Sequence, residues 1–206
     1  MVRAKIIASI VQNIVKAKSK SSFKLSNVDL QDYPEPDPSQ SYLLYIHIPF
    51  CKSFCSYCSF YKVSYEHELT RNYFSALQED IKRAHKKGYK FHGVYLGGGT
   101  PTIVPEMVAE TIDLLRSLYD IKEVSCEANP DIDETIINLL KDKVDRLSIG
   151  VQSFQDNFLD RSKRLAKYGG AEKLQENLAK AIEHFDIVNI DMIFNFYKQT
   201  KQELLD

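Results

Sequence analysis

An α/β fold built on a parallel sheet is predicted for this 206-residue chain by three observations. From Tyr42 onward, short apolar strands alternate with amphipathic helical stretches, and the alternation repeats five times, the pattern of βα units with right-handed crossovers. With 44% hydrophobic and 27% charged residues and only 8 glycines and 7 prolines, the chain can bury a sizeable core and is neither disordered nor low-complexity. The prolines cluster at residues 32–40, just ahead of the first strand, where a domain boundary is expected.

The elements follow in order. Ile6, Ile7, Ile10, Val11, Ile14 and Val15 fall on one helical stripe edged by lysines. Residues 1–31 are therefore read as a basic amphipathic helix that packs on the main domain, with membrane-surface contact as the less favoured alternative. Residues 32–40 alternate proline with polar residues, which predicts an extended, poorly hydrogen-bonded linker. The main domain is expected over 41–206. Strands are predicted at 42–48, 93–96, 121–127, 145–151 and 187–193. Helices are predicted at 66–87, 105–119, 133–143 and 171–185, the first ended by Gly88, with a short helix within 154–165. In parallel sheets, open or closed into a barrel, ligands collect at the C-terminal strand ends.

Charge and cysteines narrow the function. The net charge of −1 exerts no general pull toward nucleic acid, although the first 28 residues hold six basic groups and no acid. No apolar run approaches the roughly 18 residues of a membrane-spanning helix. Cys51, Cys55 and Cys58 fall within eight residues while Cys126 stands alone. Three thiols this close cannot all pair with one another, so a reduced, cytoplasmic setting is expected. At spacings of four and three they can converge on one metal centre from a single loop. A structural zinc site is closed by four ligands, whereas a cubane cluster on three cysteines leaves one iron open. The cluster is the favoured reading, with a Cys₃His zinc site completed by His47 as the alternative. After the second strand comes Gly97-Gly98-Gly99-Thr100-Pro101, where bare backbone can approach a ligand.

Taken together, these motifs resemble the radical S-adenosylmethionine (SAM) superfamily, and within it the oxygen-independent coproporphyrinogen III oxidases and their haem-chaperone relatives. The resemblance rests on Tyr45-Ile-His-Ile-Pro-Phe-Cys51 with Cys55 and Cys58, and on Tyr95-Leu-Gly-Gly-Gly-Thr-Pro-Thr102. Glu127-Ala-Asn-Pro130, Ser148-Ile-Gly-Val-Gln-Ser-Phe154 and Asn189-Ile-Asp191 complete it. It implies a partial (β/α) TIM-like barrel and a [4Fe-4S] cluster on Cys51, Cys55 and Cys58. The open iron would chelate SAM, and one electron from a flavodoxin- or ferredoxin-type donor would release a 5′-deoxyadenosyl radical. Matched position by position, Tyr45, Gly98, Gly99, Thr100, Glu127, Gln152, Arg164 and Asp191 become the expected SAM contacts. Arg164 is the candidate carboxylate clamp, and Asp191 points inward if Ile190 and Met192 face the helices.

The resemblance also breaks in places. Authentic oxidases carry a further cysteine two residues past the third, where this chain has Phe60; chaperone-like and other porphyrin-handling relatives also lack it. After Asp191 the family commonly has Gly-Leu-Pro, here Asn195-Phe196-Tyr197, which predicts an altered turn. Five βα units stand where the family has six, which leaves strand 187–193 with an expected bare edge and suggests a chain cut short, with weak or no turnover. The implied partner is a tetrapyrrole substrate or haem. Oxidative decarboxylation of coproporphyrinogen propionates to vinyl groups leads, with a non-catalytic haem chaperone, or a porphyrin methyl-transfer or ring-opening enzyme, as alternatives.

Overall fold

The computed structural model describes residues 33–205. The predicted N-terminal helix lies outside these residues. The described chain runs β1 (Tyr42–Ile48), β2 (Phe50–Cys51), β3 (Val63–Ser64), α1 (His67–Lys86), β4 (Phe91–Gly98) and, after a 3₁₀ turn at Pro101–Ile103, α2 (Pro105–Leu118). It continues with β5 (Glu123–Ala128), α3 (Glu134–Leu140), β6 (Arg146–Gln152), α4 (Asp156–Arg161), α5 (Leu165–Tyr168), α6 (Ala171–His184), β7 (Ile187–Met192) and α7 (Lys201–Leu205).

Five strands form one parallel sheet in the order β1-β4-β5-β6-β7, so each strand pairs with the next long strand in sequence. Such steady progression is what successive right-handed crossovers produce, and it is the wall of a partial barrel. Strand side chains alternate between two faces. Ile46 and Ile48, Val94 and Leu96, Val124 and Cys126, and Leu147, Ile149 and Val151 face the helices, joining Val108, Ile112, Leu115, Ile137, Leu140, Leu174 and Leu178 in one core. Burying each of the larger of these contributes about 1.5–3 kcal/mol. The opposite face is polar and holds Tyr45, His47, Tyr95, Ser125, Glu127, Ser148, Gln152, Asn189 and Asp191.

Local chemistry sets the helix ends. Gly88 closes α1 with φ +93°, its N–H donating to the His85 carbonyl at 2.9 Å. Proline opens α2 at its first position. The Asp133 carboxylate caps α3 by accepting from the Ile136 N–H at 2.9 Å.

Four differences from the sequence expectations have physical causes. The stretch at 33–41 is not poorly hydrogen-bonded: the Asp37 carboxylate accepts from the Ser39 N–H and hydroxyl, Lys90 Nζ donates to the Pro38 carbonyl, and Lys87 pairs with Glu35. Helix α3 stops at Leu140, and residues 141–143 turn toward β6. Residues 156–168 form two short helices instead of one, broken at Lys163, which adopts φ +60°. Ile190 and Met192 lie on the helix side of β7 but stay exposed, Met192 at 44%, because no helix among the described residues covers them and no strand pairs with the outer edge of β7.

Candidate cofactor site

The cysteine loop is clamped at its base by the ladder β2–β3, in which Phe50 pairs with Val63 and Cys51 with Ser64. This ladder has no sequence signature, being two residues long. It puts Cys51 on a fixed strand and leaves residues 52–62 as the loop that presents Cys55 and Cys58. All three cysteines line one cavity of about 170 Å³ with Gly98, Gly99, Thr100, Glu127, Gln152, Arg164 and Asp191. Seven of the eight expected SAM contacts thus share a cavity with the three expected cluster ligands. A second cleft of about 400 Å³ adjoins it and shares Ser53, Thr100, Asn129 and Tyr168. Cys126 is buried in the helix-side core, where burial pushes its thiol well up.

The glycine run serves internal packing as well as ligand approach. Gly98 has φ +120°, and a Cβ there would stand 2.9 Å from the Ile48 carbonyl oxygen. A Cβ on Gly99 would stand 2.7 Å from the carbonyls of both Pro49 and Phe50. The end of β4 can therefore lie against the root of the cysteine loop only where side chains are missing. Thr100 continues the contact: its hydroxyl lies 3.7 Å from Cys51 Sγ and accepts from Asn129 Nδ2 at 3.1 Å. Burial raises the Cys51 thiol, and the Thr100 hydrogen bond opposes that rise.

Glu127 is held at the end of β5 by two hydrogen bonds. Its two carboxylate oxygens accept from Tyr95 Oη at 2.9 Å and from the Gly98 N–H at 3.0 Å, which ties β5 to the glycine run. Burial, then the Glu127 hydrogen bond, pushes the Tyr95 phenol far up, so it stays a donor. Gln152 has φ +77°, a conformation uncommon outside glycine, at an irregularity in the β6–β7 register. The Asp191 residue is exposed by area, yet its carboxyl sits against the cavity wall, and desolvation raises it above the ordinary range.

Arg164 is 3% exposed, so it is not a solvated surface arginine. One terminal nitrogen donates to the Gly150 carbonyl and the other lies 3.4 Å from both Cys55 Sγ and Tyr57 Oη. The guanidinium stacks 4.5 Å over the Tyr168 ring, and its Nε is buried with no partner. A guanidinium lining a cavity suits an anionic group such as a carboxylate. Burial above all raises the Tyr57 phenol to about 12.

Tyr45 is the exception among the expected contacts. It is 54% exposed and does not line the cavity. It stacks on Tyr95 with ring centroids 6.0 Å apart, and its hydroxyl bonds His47 Nδ1 at 2.9 Å. The other ring nitrogen of His47 bonds the Tyr61 carbonyl at 3.1 Å. His47 is thus engaged away from the cavity, and among the described residues no three His, Cys, Asp or Glu side chains gather tightly enough for one metal ion. With His47 engaged elsewhere, the cavity offers three thiols, which suit a cubane with one open iron better than a structural zinc site closed by four ligands.

Sequence reasoning missed Tyr57, Lys62, Asn129, Ser148, Gly150 and Tyr168 as lining residues. Period-2 alternation from Gln152 back through Gly150 to Ser148 could have found two of them, while Tyr168 sits on a helix of four residues with no such signal.

Among known proteins, the model of the Radical SAM superfamily matches residues 45–206, and the chain belongs to that superfamily. Within it the chain falls in the branch of coproporphyrinogen III oxidase and its haem-chaperone relatives. It is 33% identical to the heme chaperone HemW of Bacillus subtilis over 174 residues, 78% of this chain and 44% of that protein. Against HemW of Escherichia coli the identity is 30% over 173 residues, 79% of this chain and 45% of that one. The solved structure of coproporphyrinogen III oxidase (HemN) from Escherichia coli, described as a radical SAM enzyme, superposes with a TM-score of 0.71 at 29% identity, covering 82% of this chain and 41% of the other. The chain therefore spans less than half the length of these relatives. No helix among the described residues is long and apolar enough to cross a membrane.

Proposed function

We propose that this chain is a haem-handling radical SAM protein of the haem-chaperone type, with a [4Fe-4S] cluster on Cys51, Cys55 and Cys58 and SAM in the adjoining cavity. The observation that carries the chaperone assignment is Phe60: it stands where the oxidases have a further cysteine, lines the cavity, and is 70% exposed. The curated relatives named above as haem chaperones support the same choice. When bound, the cluster and SAM supply one-electron cleavage of the sulfonium to a 5′-deoxyadenosyl radical. The chain's own residues bind and orient. Thr100 braces Cys51, and Arg164 offers its guanidinium to the SAM carboxylate. Glu127 ties β5 to the glycine run, its remaining lone pairs turned to the ribose hydroxyls, and Gln152 and Asp191 close the far wall. Tyr45 supports Tyr95, which in turn holds Glu127.

The second reading, oxidative decarboxylation of coproporphyrinogen III, is favoured by the retention of the cofactor-lining set and by the likeness to the oxidase structure. The two separate in one experiment on anaerobically reconstituted protein, with a low-potential flavodoxin or ferredoxin as donor. Haem retained on the chain, with no vinyl product from coproporphyrinogen, is the expected result. 5′-Deoxyadenosine formed in step with vinyl product, and no haem retention, would establish the oxidase instead.

A further inference from the structure

Lys62 lies at the foot of the cysteine loop, one residue before β3, and its side chain runs back under the loop. Its Nζ donates to the Cys58 carbonyl at 2.7 Å and to the Phe60 carbonyl at 3.2 Å, and it sits 5.7 Å from the centroid of the Phe54 ring. These contacts reach the segment between the first two cysteines, the third cysteine itself and the residue two beyond it. The loop is thus folded around one ammonium. Lys62 also lines the cavity that holds all three cysteines. A surface lysine normally keeps its head in water, because desolvation without compensation is unfavourable. Here two carbonyls and a ring face replace part of that water.

A cation fixed in this place has an electrostatic consequence. Three thiolates around a [4Fe-4S]²⁺ core make a site with a net charge of about −1, and one more electron makes it about −2. Net charge near a cluster helps to set its potential, and a fixed positive charge favours the more negative, reduced form. Of the other charged groups lining the cavity, Glu127 and Asp191 are acidic and oppose reduction, and Arg164, bound to Gly150, Cys55 and Tyr57, adds a second positive charge that a change at Lys62 leaves in place.

We propose that Lys62 is a positioning residue that holds the cysteine loop in its ligating shape and, by its charge, raises the reduction potential of the cluster. The inference rests on the proposed cluster on Cys51, Cys55 and Cys58. It is tested on the full chain by anaerobic reconstitution followed by a mediator-poised redox titration, with dithionite supplying the single electron and the reduced cluster read by electron paramagnetic resonance. Lys62→Gln keeps a donor for the carbonyls and removes the charge, while Lys62→Arg keeps the charge.

For Lys62→Gln the expected result is a one-electron reduction equilibrium about tenfold less favourable than wild type, a potential more negative by about 59 mV. Lys62→Arg should stay near wild type. Because only loaded chains give the signal, low loading of the Gln variant does not obscure the potential, and iron content restored by Arg supports the loop-holding role. An unchanged potential in Lys62→Gln overturns the inference while leaving the cluster assignment intact. Wild-type protein that takes up no four-iron cluster overturns the assignment and this inference together.

Discussion

At the residue scale, the site depends on side chains whose polar atoms are committed to one another before any ligand arrives. Glu127 has both oxygens occupied, yet each can accept a further hydrogen bond, so it is a fixed acceptor rather than a mobile one. Arg164 differs in that one buried donor, Nε, has no partner. Replacing it by methionine keeps most of the volume and removes the charge-assisted bonds, which are worth about 1.5–3 kcal/mol each. The expected effect of Arg164→Met is a roughly tenfold to hundredfold loss of SAM affinity, measured by isothermal titration of the reconstituted protein; unchanged affinity would remove Arg164 from the carboxylate role. Its importance was only half legible beforehand. Family position pointed to Arg164, but its burial depends on Gly150, Tyr57 and Tyr168, which approach from separate elements, and no local pattern encodes that convergence.

At the scale of elements, the strands and long helices were legible because a parallel sheet with one helix-covered face writes its period into the sequence. Strand β1 falls at Tyr42–Ile48, as the apolar run predicts, and α2 and α6 stop within one residue of expectation. The two-residue ladder β2–β3 was invisible because it is too short to write an alternation; its own bonds, from the Val63 N–H to the Pro49 carbonyl and from the Tyr65 N–H to the Cys51 carbonyl, each at 2.9 Å, join segments that no local pattern links. The turn after β7, where the sequence predicts an altered shape, contains a left-handed residue. Asn195 adopts φ +66°, a left-handed conformation that asparagine tolerates better than most residues. The glycine run gives the sharpest element-level prediction. Gly99→Ala places a methyl group 2.7 Å from two backbone carbonyls that cannot move without the cysteine loop. It should cost about 1–3 kcal/mol of stability by denaturant unfolding and lower iron loading; wild-type values for both would show that the close approach is not required.

At the scale of the whole molecule, one sheet divides its two faces between stability and chemistry. The helix side carries the apolar core, and the other side carries Tyr95, Glu127, Ser148, Gln152 and Asp191 toward the loop with the three cysteines. Function therefore sits at the C-terminal ends of β1, β4, β5, β6 and β7, where parallel α/β architectures gather ligands. The proposed occupant of this convergence is a [4Fe-4S] cluster with an iron open to SAM. It is tested most directly by counting iron and acid-labile sulfide in anaerobically reconstituted protein and recording the paramagnetic resonance of the reduced sample with and without SAM. The expected result is about four of each per chain, a signal that changes when SAM is added, and loss of the cluster on replacing Cys51, Cys55 or Cys58 but not Cys126. A single bound zinc, or a cluster whose signal is indifferent to SAM, would contradict it.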